Sequence, residues 1–288
     1  MSQLRHTEDS LPPEVPVELP SPLVGLAADY EHGFRIPAHR HSCAQLIFAA
    51  SGVMTVSSQP GSWVVPPERA VWVPAGTGHA IRMTGRVAIR TLYFDPELAP
   101  LPGTDCCVVQ VSTLLREAIL RSMQLRHPYP QGGAEARLAA LIVDEIRVAP
   151  TAPLHLPLPR DARALRVAEA LRANPGDPRG LEDWARLAGA SARTLERLFE
   201  RETTLRFAAW RQQARLLRSL EALAAREPVT RVALQVGYET PSAFIAMFRR
   251  ALGTTPGRYF SPGATRSEAE PGPQPGEAQL KVSPPESR

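Results

Sequence analysis

A chain of 288 residues, 43% of them hydrophobic, is long enough to bury two cores rather than one. Its formal charge of +4 is unevenly spread: residues 160–260 hold 18 arginines against 11 acidic residues, a net +7, while the remainder holds 15 basic against 18 acidic residues, a net −3. A basic C-terminal module is a candidate for binding a polyanion. Only three cysteines and no apolar run of membrane-spanning length exclude a disulfide framework and a membrane-spanning helix.

The first 20 residues are Pro-broken and mostly acidic, with no apolar stretch of the export-signal kind, so a disordered arm and a cytoplasmic location are expected. From about Pro22 to Phe94, short β-rich runs alternate with Gly and Pro turns: Gln45–Ala49, Val53–Val56, Trp63–Val65, Ala70–Val73 and Ala88–Phe94. Short strands at this spacing indicate a sandwich or small barrel over residues 21–105. Two clusters stand out within it. One runs Gly33, His39, His41, Gln45, Gly52, and the other Pro74, Gly76, His79. His39 and His41 flank Arg40, so on a strand both imidazoles point to one side. The spacing resembles the cupin double motif, and that resemblance implies a barrel in which two His, a Glu and a third His face inward to hold a metal. Here Gln45 stands where the Glu is expected, and Met83 where Asn is common. Three roles are open for His39, His41, Gln45 and His79: a three-nitrogen site for a divalent metal with Gln45 as a weak neutral ligand, hydrogen bonding inside the barrel, or direct binding of a polar effector. Arg35 and Arg40 belong on the outer face or rim. The adjacent Cys106 and Cys107 read as a buried pair or a redox sensor.

Residues 106–148 carry two helical patterns. Leu114, Leu115, Ala118, Ile119 and Met123 recur at helical spacing, as do Leu138, Leu141, Ile142 and Ile146, and a turn rich in Pro and Gly separates them. An antiparallel helical pair that covers the barrel or supplies a dimer face is expected. Residues 149–160, Pro-spaced and nearly uncharged, read as a semi-rigid linker.

The C-terminal module, residues 161–260, contains one unit twice. In the second copy, Val232, Ala233 and Val236 precede a turn at Gly237. Thr240-Pro241 then opens a helix whose buried stripe is Phe244, Phe248 and Leu252. In the first copy, Leu187-Ala188 precede the turn, Ser191 is the N-cap, and Leu195, Leu198 and Phe199 form the stripe. Each is the layout of a helix-turn-helix. Between them, Phe207 to Ala225 has no Gly or Pro; a helix of that length spans roughly 30 Å, close to the roughly 34 Å of one DNA turn. The ordered set Ala233, Gly237, Tyr238, Ser242, Phe244, Phe248, Arg249, Arg250, Gly253, Pro256 and Tyr259 resembles the C-terminal signature of AraC/XylS-type transcription regulators. Thr204 departs from it, since Gly commonly follows the first recognition helix. Residues 261–288, with six prolines, read as disordered.

The resemblance implies a fold of the α+β multidomain class: cupin-like β-barrel, helical-pair connector and an all-α tandem helix-turn-helix domain. It implies DNA contacts from Arg193, Glu196 and Arg197 on the first recognition helix and from Ser242, Ala243, Ile245, Ala246 and Arg249 on the second. Arg211 and Arg215 resemble the Arg-containing connector of the family, with a structural pair on that helix as the other reading, the one expected for Arg215. Arg suits bidentate reading of guanine and Glu a cytosine amine, whereas small or apolar side chains suit only a thymine methyl or the backbone wall. The first unit is therefore expected to discriminate and the second to anchor. The partners implied are promoter DNA, a small-molecule effector, a second copy of the chain in a homodimer and, for an activator, RNA polymerase. The competing class is a metal-dependent cupin enzyme, a dioxygenase or isomerase fused to a DNA module. Gln45 in place of Glu, with no carboxylate in either motif, weighs against it. An architectural DNA binder without an effector is the third class.

Overall fold

The computed structural model describes residues 18–59, 61–101, 105–152 and 154–260. The expectations for the N-terminal arm up to residue 17 and for the tail from residue 261 lie outside the described residues. No helix among the described residues is long and apolar enough to cross a membrane.

The N-terminal half is a curled antiparallel sheet of eight strands: β1 (Leu23–Tyr30), β2 (Arg35–His39), β3 (Ala44–Ser58), β4 (Gly61–Val65), β5 (Arg69–Val73), β6 (His79–Phe94), β7 (Cys107–Gln110) and β8 (His155–Pro157). The order β1-β6-β3-β4-β8 forms the main path, with β2 on β6, and β5 bridging β3 to β7. The two runs expected at Gln45–Ala49 and Val53–Val56 are one strand, β3. Its register against β6 slips at Ser51, and Gly52 at φ 75° makes the bend. A Cβ at Gly52 would lie 2.5 Å from the Arg86 carbonyl oxygen, so the strand bends only because that position has no side chain.

Alternation along the strands sorts two cores. Leu46, Phe48, Trp72, Leu92 and Phe94 face outward and are covered by helices α1 (Thr113–Ser122) and α2 (Ala134–Val148) through Leu115, Ile119, Ile142 and Ile146. Ile47, Ala49, Val71 and Val73 belong instead to a second core that runs through the barrel and on into the helical module. The Pro-spaced stretch expected to be a linker is part of the sheet. Ala152 donates to Val108 O at 2.7 Å, β8 pairs with β4, and His155 stacks on Trp63 at 4.5 Å. Proline is tolerated there because an edge strand has N–H groups to spare.

The helical module comprises α3 (Ala162–Ala173), α4 (Leu181–Ala188), α5 (Ala192–Thr203), α6 (Phe207–Ala224), α7 (Val229–Gln235), α8 (Pro241–Leu252) and α9 (Pro256–Tyr259). The caps follow the local sequence: Ser191 Oγ accepts from Thr194 N at 3.1 Å and Thr240 Oγ1 from Ala243 N at 3.2 Å. The stripes Leu195, Leu198, Phe199 and Phe244, Phe248, Leu252 are buried, as are Val232, Ala233 and Val236. Thr204 takes the left-handed cap conformation, φ 62°, that Gly would supply, so α5 ends as the repeat requires despite the substitution. Replacing Thr240 with Ala removes an N-cap bond and is expected to cost about 1 kcal/mol. Thermal unfolding should register it as a Tm lower by roughly 2–4 °C.

Candidate nucleic-acid interface and sensor site

In each helix-turn-helix the buried stripe fixes which face of the second helix is left over. On α5 that face carries Arg193 and Arg197, both exposed, and the half-buried Glu196. Among the described residues none of the three makes an ion pair, so their polar ends are free for a ligand. On α8 it carries Ser242, Ala243, Ala246 and Arg249, all exposed, while Ile245 is half-buried against the core. Ser242, Ile245, Ala246, Arg249, Arg250 and Thr255 line one open groove, with an apolar floor and a guanidinium rim.

α5 and α7 pack on α6, whose 18 residues span roughly 27 Å, and α8 joins it through α7. Arg211 and Arg215 do not project beside those reading faces. Arg211 donates to the carbonyl oxygens of Asp177 and Arg179, the latter at 2.8 Å, and Arg215 Nε donates to Pro175 O at 3.1 Å. Both therefore serve the internal packing of the module.

The candidate sensor histidines also come together. His39, His41 and His79 offer ring nitrogens that all lie within 4.8 Å of one another. His39 Nδ1 donates to Pro37 O at 2.8 Å and His79 Nδ1 to Thr77 O at 3.1 Å; since a carbonyl can only accept, each ring keeps its lone pair on Nε2. The Nε2 atoms of His41 and His79 are buried without a partner. Burial pushes the pKa of both rings down to about 4, aided at His41 by the neighbouring His39 and His79, and at His79 by His39 against the opposing pull of the Thr77 bond. Both are neutral near pH 7. Gln45 is held with its amide nitrogen on Thr91 Oγ1 (2.9 Å) and Tyr93 Oη (3.1 Å), which leaves its Oε1 buried and unpartnered. Buried polar atoms without a partner therefore include His41 Nε2, His79 Nε2 and Gln45 Oε1. The three clustered imidazoles are a suitable donor set for a divalent cation. Thr91 and Tyr93 were not evident beforehand as the groups that set the Gln45 amide; their alternation with Leu92 on the last strand run was the available signal.

Cys43, Cys106 and Cys107 are free thiols. Burial first, then Cys107 and Asp105, pushes the Cys106 thiol up to about 12, which keeps it protonated and a poor redox nucleophile.

One contact between the halves escaped the sequence reading. Glu221 on α6, 7% exposed, accepts from Arg82 Nη2 and Thr55 Oγ1 of the barrel, each at 2.6 Å, and from Arg218 Nη1 at 3.3 Å. A cavity of about 290 Å³ lies beside it, bounded by Ser57, Ser62, Arg82, Arg172 and Arg218. The visible signal was a lone acid among Leu217, Leu220 and Leu223. Trp210 Nε1 adds a bond to Pro157 O at 2.7 Å.

Residues 22–142 match the family model of an AraC-like ligand binding domain, and residues 184–261 that of a helix-turn-helix domain. The chain is 35% identical over 239 residues to the HTH-type transcriptional regulator NimR of Escherichia coli (strain K12), across 83% of this chain and 87% of that one. It is 39% identical over 122 residues to the regulator RipA of Corynebacterium glutamicum, across 42% and 35%. Among solved structures, fatty-acid-bound ToxT from Vibrio cholerae aligns over 83% of this chain and 94% of that one, with 11% identity and a TM-score of 0.35.

Proposed function

Because the chain belongs to the AraC-type transcription regulators, we propose that it reads its operator with two helices of unequal specificity and is switched by a small effector at the histidine site. It is a regulator with a ligand-binding domain and a DNA-binding domain, not an enzyme. The observation that carries the proposal is the contrast between the two outward faces. Arg193, Glu196 and Arg197 present free charged ends on α5, whereas Ser242, Ala243, Ile245 and Ala246 on α8 hold nothing that reaches guanine bidentately. The α5 unit supplies base discrimination; the α8 unit anchors through Arg249 and Arg250 on phosphates and through apolar contact in its groove.

Selection from random duplexes tests this. Bases under α5 should be specified sharply and those under α8 weakly; equal sharpness under both would sink it. Arg197→Ala should cost about 1–3 kcal/mol on the selected site and far less on random DNA, measured at one fixed salt concentration.

Two finer assignments go with this reading. His39, His41, His79 and Gln45 would hold a divalent cation, which supplies a positive centre for an anionic or oxygen-rich effector. Leu114, Leu141 and Val148, 52%, 38% and 76% exposed on the helical pair, form the face for a second copy of the chain.

A further inference from the structure

Helix α6 sets how far apart the two helix-turn-helix units lie, but a strut alone does not set their rotation about its axis. No helix of the α4–α5 unit packs extensively on a helix of the α7–α8 unit. The direct bridge is the loop Asn174–Gly180, which leads into α4 and leans on the turn of the other unit. Gly176 sits so close to that turn that a Cβ there would overlap the Gln235 carbonyl oxygen. Gly237, at φ 81°, is equally tight: a Cβ would lie 2.8 Å from Arg215 Nη2 and 2.9 Å from Gly176 Cα.

Two arginines one helical turn apart on α6 fasten this bridge. Arg211 takes the carbonyls of Asp177 and Arg179, and Arg215 takes that of Pro175 while its guanidinium lies 5.5 Å from the Tyr238 ring centroid, next to Gly237. The loop is itself stiff. Arg179 forms a two-point pair with Asp177 (2.9 and 2.6 Å) and stacks 4.0 Å from the Trp184 ring of α4. Strut, loop and both units therefore meet at one joint.

We propose that this joint, Arg211 and Arg215 closing Gly176 onto Gly237, fixes the rotational phase between α5 and α8 and so determines which half-site spacing the protein accepts, independently of the bases it reads. The inference rests on the reading that both helices engage one duplex. Each base pair inserted between half-sites turns the far one by roughly 35° and moves it by roughly 3.4 Å. A locked joint cannot follow that turn; a loosened one can.

The test uses the full chain and the duplex obtained by selection, with one or two base pairs added or removed between the half-sites, and fluorescence anisotropy at fixed salt. The wild type should lose about tenfold or more in affinity per base pair of altered spacing. Arg215→Ala should bind the selected duplex more weakly and compress that ratio to about threefold or less, because phase and not base contact is lost. Arg215→Lys, which retains charge and one donor but not the planar fork, should fall between them. If near-ultraviolet dichroism shows the alanine variant unfolded, Arg215→Lys carries the test, and a wild-type spacing ratio in that variant overturns the inference. A folded variant that keeps the wild-type spacing ratio overturns the inference alone. A wild type indifferent to spacing instead overturns the two-helix reading, and this inference with it.

Discussion

Replacing Arg82 with alanine should destabilise the full chain by about 2–4 kcal/mol and separate the unfolding of the barrel from that of the helical module, where the unaltered chain is expected to lose both together. The reasoning starts from where the charges sit. The Glu221 side chain is 9% exposed, while those of Arg82 and Arg218 are 41% and 42% exposed. Loss of either guanidinium costs little on the arginine side, because its head already reaches water. Loss of the Arg82 head, however, leaves a buried carboxylate with only the Thr55 hydroxyl and the longer Arg218 contact. That penalty sits at the seam, since one partner belongs to β6 and the other to the strut of the DNA-binding unit. Glu221→Gln should cost less, about 1 kcal/mol, because it removes the buried charge together with its need for a counter-charge. If Glu221→Gln proves the more damaging change in urea titrations of both variants, the carboxylate is not what the seam depends on.

If the histidine cluster is the effector site proposed above, the seam would give it a physical route to DNA. β6 begins at His79, a member of that cluster, and three residues later carries Arg82, which faces α6. Over that length a strand rises roughly 10 Å. A ligand alters DNA occupancy only to the extent that it binds one arrangement of the two halves better than another. A ligand that pulls on His79 draws on the same strand that holds the Glu221 contact, so its differential affinity can be expressed as a change in docking. Both reading faces are exposed while the contact is made, so the docked arrangement does not cover α5 or α8.

Local chemistry made much of this legible in the sequence. The caps Ser191 and Thr240-Pro241, the stripes at Phe199 and Phe244/Phe248, and the apolar spacing of the helical pair are set by neighbours within one or two turns, and the structure follows them. The histidine cluster was visible because two of its members lie two positions apart, although the strand that was to aim both stops at His39 and His41 reaches the cluster from the loop beyond β2. What could not be read depended on contacts distant in sequence. Nothing near Gly52 says that the runs on either side of it are one bent strand; Arg86, 34 positions away, decides that. Glu221 looks like an acid misplaced in an apolar run until Arg82 and Thr55 are brought to it from 139 and 166 residues away. Gly237 reads only as a turn residue and nothing marks Gly176, because their close approach is a contact between residues 61 positions apart.

Adding zinc to metal-free protein should raise its stability by about 4 kcal/mol when free zinc is a thousandfold above its dissociation constant. His79→Ala should abolish the rise, and a chelator should reverse it. The expectation follows from the count of donors and acceptors. The bonds to Pro37 O and Thr77 O place the Nδ1 protons of His39 and His79 and leave their Nε2 lone pairs over, and Gln45 Oε1 is buried with no partner. Gln45→Glu sharpens the test, because it should act in opposite directions on the two forms. Without metal it should destabilise: the carboxylate faces Thr91 Oγ1, whose proton already goes to Leu46 O at 3.2 Å, leaving only the Tyr93 hydroxyl able to turn and donate. With zinc it should bind about tenfold tighter or more, since an anionic oxygen replaces a neutral one beside the cation. Calorimetric titration of the wild type and Gln45→Glu, paired with thermal unfolding of both, gives the two signs separately. No thermal shift in either protein would overturn the metal reading, and equal zinc affinity in the two would show that residue 45 is not a ligand.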